Sequence, residues 1–202
     1  MYVNNTVQCK EFPCLDVRHE SYAIPDIELD PGNFSIIMIS EAAPVNPTDA
    51  YYAGPDSLFQ KTTVLAFNDA GAEVSSIRDI LALGVYLTTA VKCGKTGYGI
   101  ESRTVETCSY LLEKELALFP DVKAYMLMGD VAIKTFNTIA KRVGEGRVIP
   151  AGSTYKIRGQ AYYFRGKRVF PSYLQAGPSF FIEKSKRRMI AEDIGTVLRL
   201  IK

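Results

Sequence analysis

Apolar and polar positions alternate between two spacings along the chain, and the alternation outlines the elements. Phe34-Ser-Ile-Ile-Met-Ile39 is a short apolar run, as expected of a buried parallel strand. Glu41 to Pro55 holds three prolines and a glycine and reads as a loop. Leu58–Ala70 and Val74–Leu83 have helical spacing, the second with Ile77, Ile80 and Leu81 on one face. Val85–Val91 is β-branched and aromatic, which predicts a second strand, followed by a polar loop over Gly94–Ser102. Thr104–Leu118 reads as an amphipathic helix with Cys108, Leu111, Leu112, Leu116 and Leu118 as its apolar members.

Ala124–Met128 predicts a third strand, turned by Gly129-Asp130 into a helix over Val131–Val143. Ser153–Phe164 suggests a hairpin closed near Gly159, Arg168–Ser172 a fourth strand, and Phe180–Leu200 a last helix. Strands alternating with helices imply an α/β fold: a three-layer sandwich around a central, mostly parallel four-stranded sheet. No repeat, low-complexity stretch or linker interrupts residues 1–202, so a single domain is expected. In such a sheet, ligands sit at the carboxyl ends of the strands. Those ends are Ser40–Pro47, Thr89–Lys95, Gly129–Asp130 and Ser172–Pro178.

Composition adds a size and a charge pattern. The 202 residues are 47% hydrophobic, enough for a full core and against disorder. No apolar run approaches the roughly 20 residues that span a bilayer, and Met1–Glu11 lacks a secretion signal's apolar segment. A cytoplasmic monomer without membrane contact is therefore expected. The net charge of +2 is unevenly spread. Residues 1–140 hold 10 Lys/Arg against 18 Asp/Glu, and residues 141–202 hold 14 against 4, giving −8 and +10. The C-terminal third thus either faces a polyanion or is a solvated surface attracted to the acidic remainder.

Cys9, Cys14, Cys93 and Cys108 are the four cysteines. In a cytosolic chain they read as ligands of zinc or an iron–sulfur cluster, or else as small hydrophobes in the core. Spacing alone does not separate these readings.

Tyr86-Leu-Thr-Thr-Ala-Val-Lys-Cys93 resembles a segment of the iron–sulfur uracil-DNA glycosylases that ends in a cluster cysteine. Thr107-Cys-Ser-Tyr-Leu-Leu112 resembles the helix that carries a further ligand. Ile39–Pro44, Tyr125–Ala132 and Val169–Tyr173 resemble, in order, the first-strand loop, the third strand with its glycine turn, and the approach to a histidine loop. The resemblance spans about Cys9 to Leu198. It implies a uracil-DNA-glycosylase-like fold with an N-terminal cluster-ligand segment, and a [4Fe–4S] cluster on Cys9, Cys14, Cys93 and Cys108. It also implies a DNA-binding protein that recognises or excises a damaged base.

Departures from the pattern fall on the expected chemistry. Thr89 stands where the family has a base-reading asparagine, and Leu174 and Gln175 where it has histidine and proline. Losing such electrostatic donors costs about 10²–10³ in rate each, which argues for weak or absent uracil excision. Glu41 and Asp49 remain as carboxylates that could position a water, against their reading as solvated loop groups. Thr89, Leu174, Tyr51 and Phe59 are the candidate base-pocket residues, with Tyr52 a further aromatic nearby. His19, the only histidine, is read as a surface residue or a neighbour of the cysteines. Lys184, Lys186, Arg187 and Arg188 are candidate DNA contacts, or an exposed helix face. The rival readings are a catalytically inactive nucleic-acid-binding protein and a redox-responsive one, each keeping the cluster.

Overall fold

The computed structural model describes residues 1–200. It contains one six-stranded sheet with helices on both faces, a mixed α/β sandwich. The strands are β1 (Val17–Arg18), β2 (Ile36–Ala43), β3 (Val85–Lys95), β4 (Ala124–Met128), β5 (Tyr162–Phe164) and β6 (Lys167–Ser172). The helices are α1 (Leu58–Asp69), α2 (Ile77–Ala82), α3 (Ser102–Leu116), α4 (Asp130–Arg142), α5 (Thr154–Ile157), α6 (Ser179–Ile182) and α7 (Lys184–Leu198). The strand order is β1-β3-β2-β4-β6-β5. The four inner strands are parallel, as expected; β5 adds an antiparallel edge from within the stretch expected to form a hairpin, and β1 adds one at the other edge that was not expected.

Residue alternation along the strands builds two cores. Ile37, Ile39, Tyr86, Tyr125 and Leu127 face Leu112, Leu116, Phe136 and Ile139 of α3 and α4. Ile36, Met38, Leu87, Met126 and Phe170 face Phe59, Phe67, Ile80, Ile190 and Ile194 of α1, α2 and α7. A third, smaller cluster at the β3 edge contains Cys14, Val17, Val91, Cys93, Val105 and Cys108.

Four expected elements differ. β2 runs four residues past Ile39, taking in Glu41–Ala43 from the expected loop. β3 runs four residues past Val91, because β1 pairs Val17 with Lys95 and Arg18 with Gly94. The hairpin lies later than Gly159: β5 and β6 turn at Arg165-Gly166, with φ of 50° and 76°. Positive φ at both central residues matches the twist of a two-residue hairpin, and Thr154–Ile157 becomes a helical turn instead. The last helix is broken at Glu183, whose φ of −100° and ψ of 76° are not helical.

A charged pair lies wholly inside the sandwich. Lys92 of β3 and Glu115 of α3 are both fully buried and form an ion pair. The Lys92 ammonium also donates to Thr88 Oγ1 at 2.8 Å and to the Thr89 carbonyl. Glu115 accepts from the hydroxyls of Tyr86 at 2.6 Å and Thr88 at 2.8 Å. Such a pair is tolerated because its polar atoms are matched, whereas one partner alone would be a bare buried charge. Lys92→Met should therefore lower unfolding free energy by about 3–5 kcal/mol in urea denaturation. A loss below about 1 kcal/mol would show that the pair is not held as described.

Candidate functional site

The chain leaves β2 toward the face of α1 and leaves β4 toward the face of α4, which opens a crevice at the strand ends. Two cavities lie there. The first, about 260 Å³, is lined by aromatic and small residues, chiefly Tyr22, Ala43, Tyr51, Tyr52, Phe59 and Thr89. The second, about 220 Å³ and more polar, includes Glu41, Gly129, Tyr173, Leu174, Lys186 and Arg187 in its walls.

A buried polar contact stands at the crevice. Gln175, fully buried, donates to the Tyr51 hydroxyl at 2.8 Å and contacts Ser40 Oγ at 3.2 Å. Ser40 and Tyr51 hydroxyls bond each other. Burial pushes the Tyr51 hydroxyl up to about 12, so it stays protonated and serves as a fixed link. The sequence-predicted residues are thereby divided. Thr89, Tyr51 and Phe59 line the first cavity, and Glu41 and Leu174 the second.

Glu41 is tied down on two sides. It pairs with Lys95 at 2.8 Å, and its other oxygen faces the Val131 amide in the first turn of α4 at 3.4 Å. Carboxylates are favoured at that helix end. Gly129, before α4, has φ of 97°, and a Cβ there would come within 2.6 Å of Glu41 Oε1. Asp49 accepts from the Leu58 amide at 3.3 Å and lines neither cavity.

The aromatic wall of the first cavity is held in place. Tyr51 and Phe59 ring centroids are 5.2 Å apart, and Tyr51 and Tyr52 are 6.3 Å apart. The Tyr52 hydroxyl donates to the Leu87 carbonyl at 2.8 Å. Thr88 and Asp26 also line this cavity, and the sequence singled out neither. Nothing in the spacing of either residue could have shown it. Lys92 did leave a signal, a lone cation in the apolar run Thr89-Ala-Val-Lys-Cys93. Glu115 left one too, lying three and four residues beyond Leu112 and Leu111 on the apolar stripe.

The basic segment is largely neutralised within the chain. Lys186 pairs with Glu183, Arg187 with Asp69 at 2.9 Å, and Arg188 with Glu192 at 3.9 Å. Lys184 has no ion-pair partner among the described residues. Arg187 also lies over the Phe180 ring, 5.0 Å from its centroid.

The cysteines lie near one another but pack as apolar groups. Cys14, Cys93 and Cys108 are buried in the β3-edge cluster, while Cys9 packs against the α3–α4 core and donates its amide to Tyr22. Burial first, then repulsion from the other three cysteines, pushes the Cys93 thiol up to about 12. Burial also raises Cys108, to about 11. His19 sits against Phe12, with ring centroids 5.3 Å apart.

No family model matches the chain, and no curated protein matches it. Among the described residues, no group of three or more His, Cys, Asp or Glu side chains could hold a metal ion. These findings overturn the resemblance to iron–sulfur uracil-DNA glycosylases, and with it the [4Fe–4S] cluster on Cys9, Cys14, Cys93 and Cys108. The expected recognition or excision of a damaged base falls with them, as do both rival readings that kept the cluster. The physical reason is packing: Cys14, Cys93 and Cys108 lie in the β3-edge apolar cluster and Cys9 against the adjoining core, where they pack as apolar side chains and form no group that could hold a metal ion.

Two outcomes follow. Alkylation by iodoacetamide near pH 8 should leave Cys93 and Cys108 unmodified until the protein is unfolded, because buried thiols form little thiolate. Peptide mass spectrometry reads this, and rapid labelling of either residue in the native protein would refute it. Gly129→Ala should destabilise by about 1–3 kcal/mol or more from backbone strain, with the Glu41 contact added. Thermal or urea unfolding measures it, and an unchanged midpoint would contradict the geometry.

Proposed function

We propose that the chain binds a small planar, amphipathic molecule, of the size of a one- or two-ring heterocycle, in the cavity between Tyr52, Phe59 and Thr89. The observation that carries the reading is a pre-set aromatic wall. Tyr51 and Tyr52 spend their hydroxyls on Ser40, Gln175 and the Leu87 carbonyl, so the rings are oriented before a ligand arrives. An apolar cavity with a few polar groups at the strand ends is where α/β sheets hold small ligands. Thr89 offers a hydroxyl, and Asp26 an acceptor at the rim whose other contact is Asn4 at 2.7 Å. The aromatic faces supply stacking and the hydroxyl supplies orientation. Glu41 belongs to the second cavity and acts in this reading on α4 and Lys95.

A second reading concerns charge. DNA as a polyanionic partner is supported by the net +10 of residues 141–202. Lys141, Arg147, Lys156 and Lys167 have no carboxylate partner among the described residues, so their charge is directed to solvent. This contact would read backbone phosphate and carry no base recognition.

Ligand-observed NMR with a panel of one- and two-ring heterocycles tests the first reading. Thr89→Val should weaken the best binder by roughly 2–10-fold, the worth of one hydrogen bond. Tyr52→Leu should weaken it further by removing a ring face. A panel without binders, or binders indifferent to both substitutions, would overturn the assignment.

A further inference from the structure

Away from the strand ends, α3, α4 and the loop after α4 enclose a concavity of about 220 Å³ lined by Ser102, Lys134, Thr138, Lys141 and Arg147, over Val105 and Asn137. Lys134, Thr138 and Lys141 follow one another at helical spacing, so both ammonium groups rise from one face of α4. No carboxylate lines it. None of the three cations has an ion-pair partner among the described residues, whereas Arg142, Arg158, Arg165, Lys186, Arg187 and Arg188 do.

The loop that brings Arg147 here is fixed. The Gly144 amide donates to Lys141 and the Glu145 amide to Ala140, at 3.1 and 2.9 Å, closing α4 with paired reverse-turn bonds. Gly144 takes φ of 85°, as that ending requires. Buried Asn137 then clamps Ile149 through two bonds of 2.9 Å, one to its amide and one to its carbonyl. Glu145, the acid of this loop, turns away and meets the Arg165 amide at 3.2 Å and its side chain at 3.6 Å. Asp16 occupies the start of α3, accepting from the Glu101 amide at 2.7 Å and from the Thr104 hydroxyl. The Glu101 amide at the start of α3 is thus taken by Asp16, and the concavity draws on side-chain charge.

We propose that Lys134, Lys141 and Arg147 form a binding site for a phosphate group. Three cations held around one hollow repel each other, and a compact anion relieves that repulsion. Arg147 can present two parallel N–H groups to phosphate oxygens, and the lysines add point charges. The Ser102 hydroxyl is a further donor at the rim. Thr138 is not, because its hydroxyl already donates to the Lys134 carbonyl at 2.9 Å. The phosphate can come from a small phosphate ester or from a nucleic-acid backbone. The site rests on the charge reading above only for the second source.

The test measures inorganic phosphate binding by calorimetry at low ionic strength, with a fluorescein-labelled duplex titrated in parallel across a salt series. The native protein should bind phosphate. Lys141→Gln and Arg147→Gln should each weaken it about tenfold or more, as expected for charge-assisted bonds, and Arg147→Lys should retain part of the affinity. All three cations are exposed in the fold, and circular dichroism confirms that the variants are folded. If the Lys134→Gln, Lys141→Gln, Arg147→Gln protein also loses duplex affinity and its salt slope falls by up to about three units, the source is a nucleic-acid backbone. If phosphate binding falls while the duplex curve is unchanged or absent, the source is a small phosphate ester. Phosphate binding that is absent in the native protein, or equal in the triple variant, overturns the site, and duplex binding that persists there leaves the charge reading intact.

Discussion

The buried pair of Lys92 and Glu115 is the constraint around which the sandwich is organised. A lysine and a glutamate without solvent contact are stable only if every polar atom finds a partner. That requirement fixes α3 against β3, since Glu115 must meet Lys92, Tyr86 and Thr88 together. It also places the Thr89 carbonyl on Lys92, which leaves the Thr89 side chain at the wall of the aromatic cavity. The Lys92 amide meets Cys108 on the same helix and seats it in the β3-edge core. One electrostatic condition thus sets a helix, a cavity wall and the packing of a thiol.

A second polar contact divides the top of the sheet. Ser40, Tyr51 and Gln175 come from β2, the following loop and the segment after β6, and they meet where the strands end. Gln175 ties Ser40 and Tyr51 together there with its amide, and Glu41 and Thr89 line different cavities. The ligand space is an apolar cavity on one side and a polar one on the other. The first suits stacking on fixed rings. The second is crossed by ion pairs that engage Glu41, Glu183, Lys186 and Arg187 of its walls.

Charge is distributed by the same logic. The acidic two-thirds of the chain supplies Asp69 to Arg187 and Glu113 to Arg142, so part of the basic C-terminal third is absorbed into the fold. What remains exposed is selected by geometry and not by run length. Lys184–Arg188 is the densest basic stretch, yet three of its four cations are paired. The cations around Arg147 are scattered in sequence, and a pinned loop gathers them.

The sequence by itself determined the elements and their order. Short apolar or β-branched runs and stripes of period 3.6 placed β2, β3, β4, β6 and α1–α4 within about four residues, because strands buried on both faces and helices buried on one leave those patterns locally. Lys92 and Glu115 also carried a local signal, as polar residues on apolar faces, though their pairing did not. The edge strands, the break at Glu183 and the Arg165-Gly166 turn depend on partners far along the chain or on backbone angles that composition does not encode. The same holds for the chemistry. Four cysteines in family-like positions looked like a ligand set, but whether sulfurs converge on a metal depends on side-chain packing across two cores. Glu41, Thr89 and Leu174 were expected around one site at the strand ends, and only the tertiary structure showed that Thr89 lines one cavity while Glu41 and Leu174 line another. Contacts between residues more than a hundred positions apart carry no local pattern, so the fold class could be read from the chain while the sites were decided by its packing.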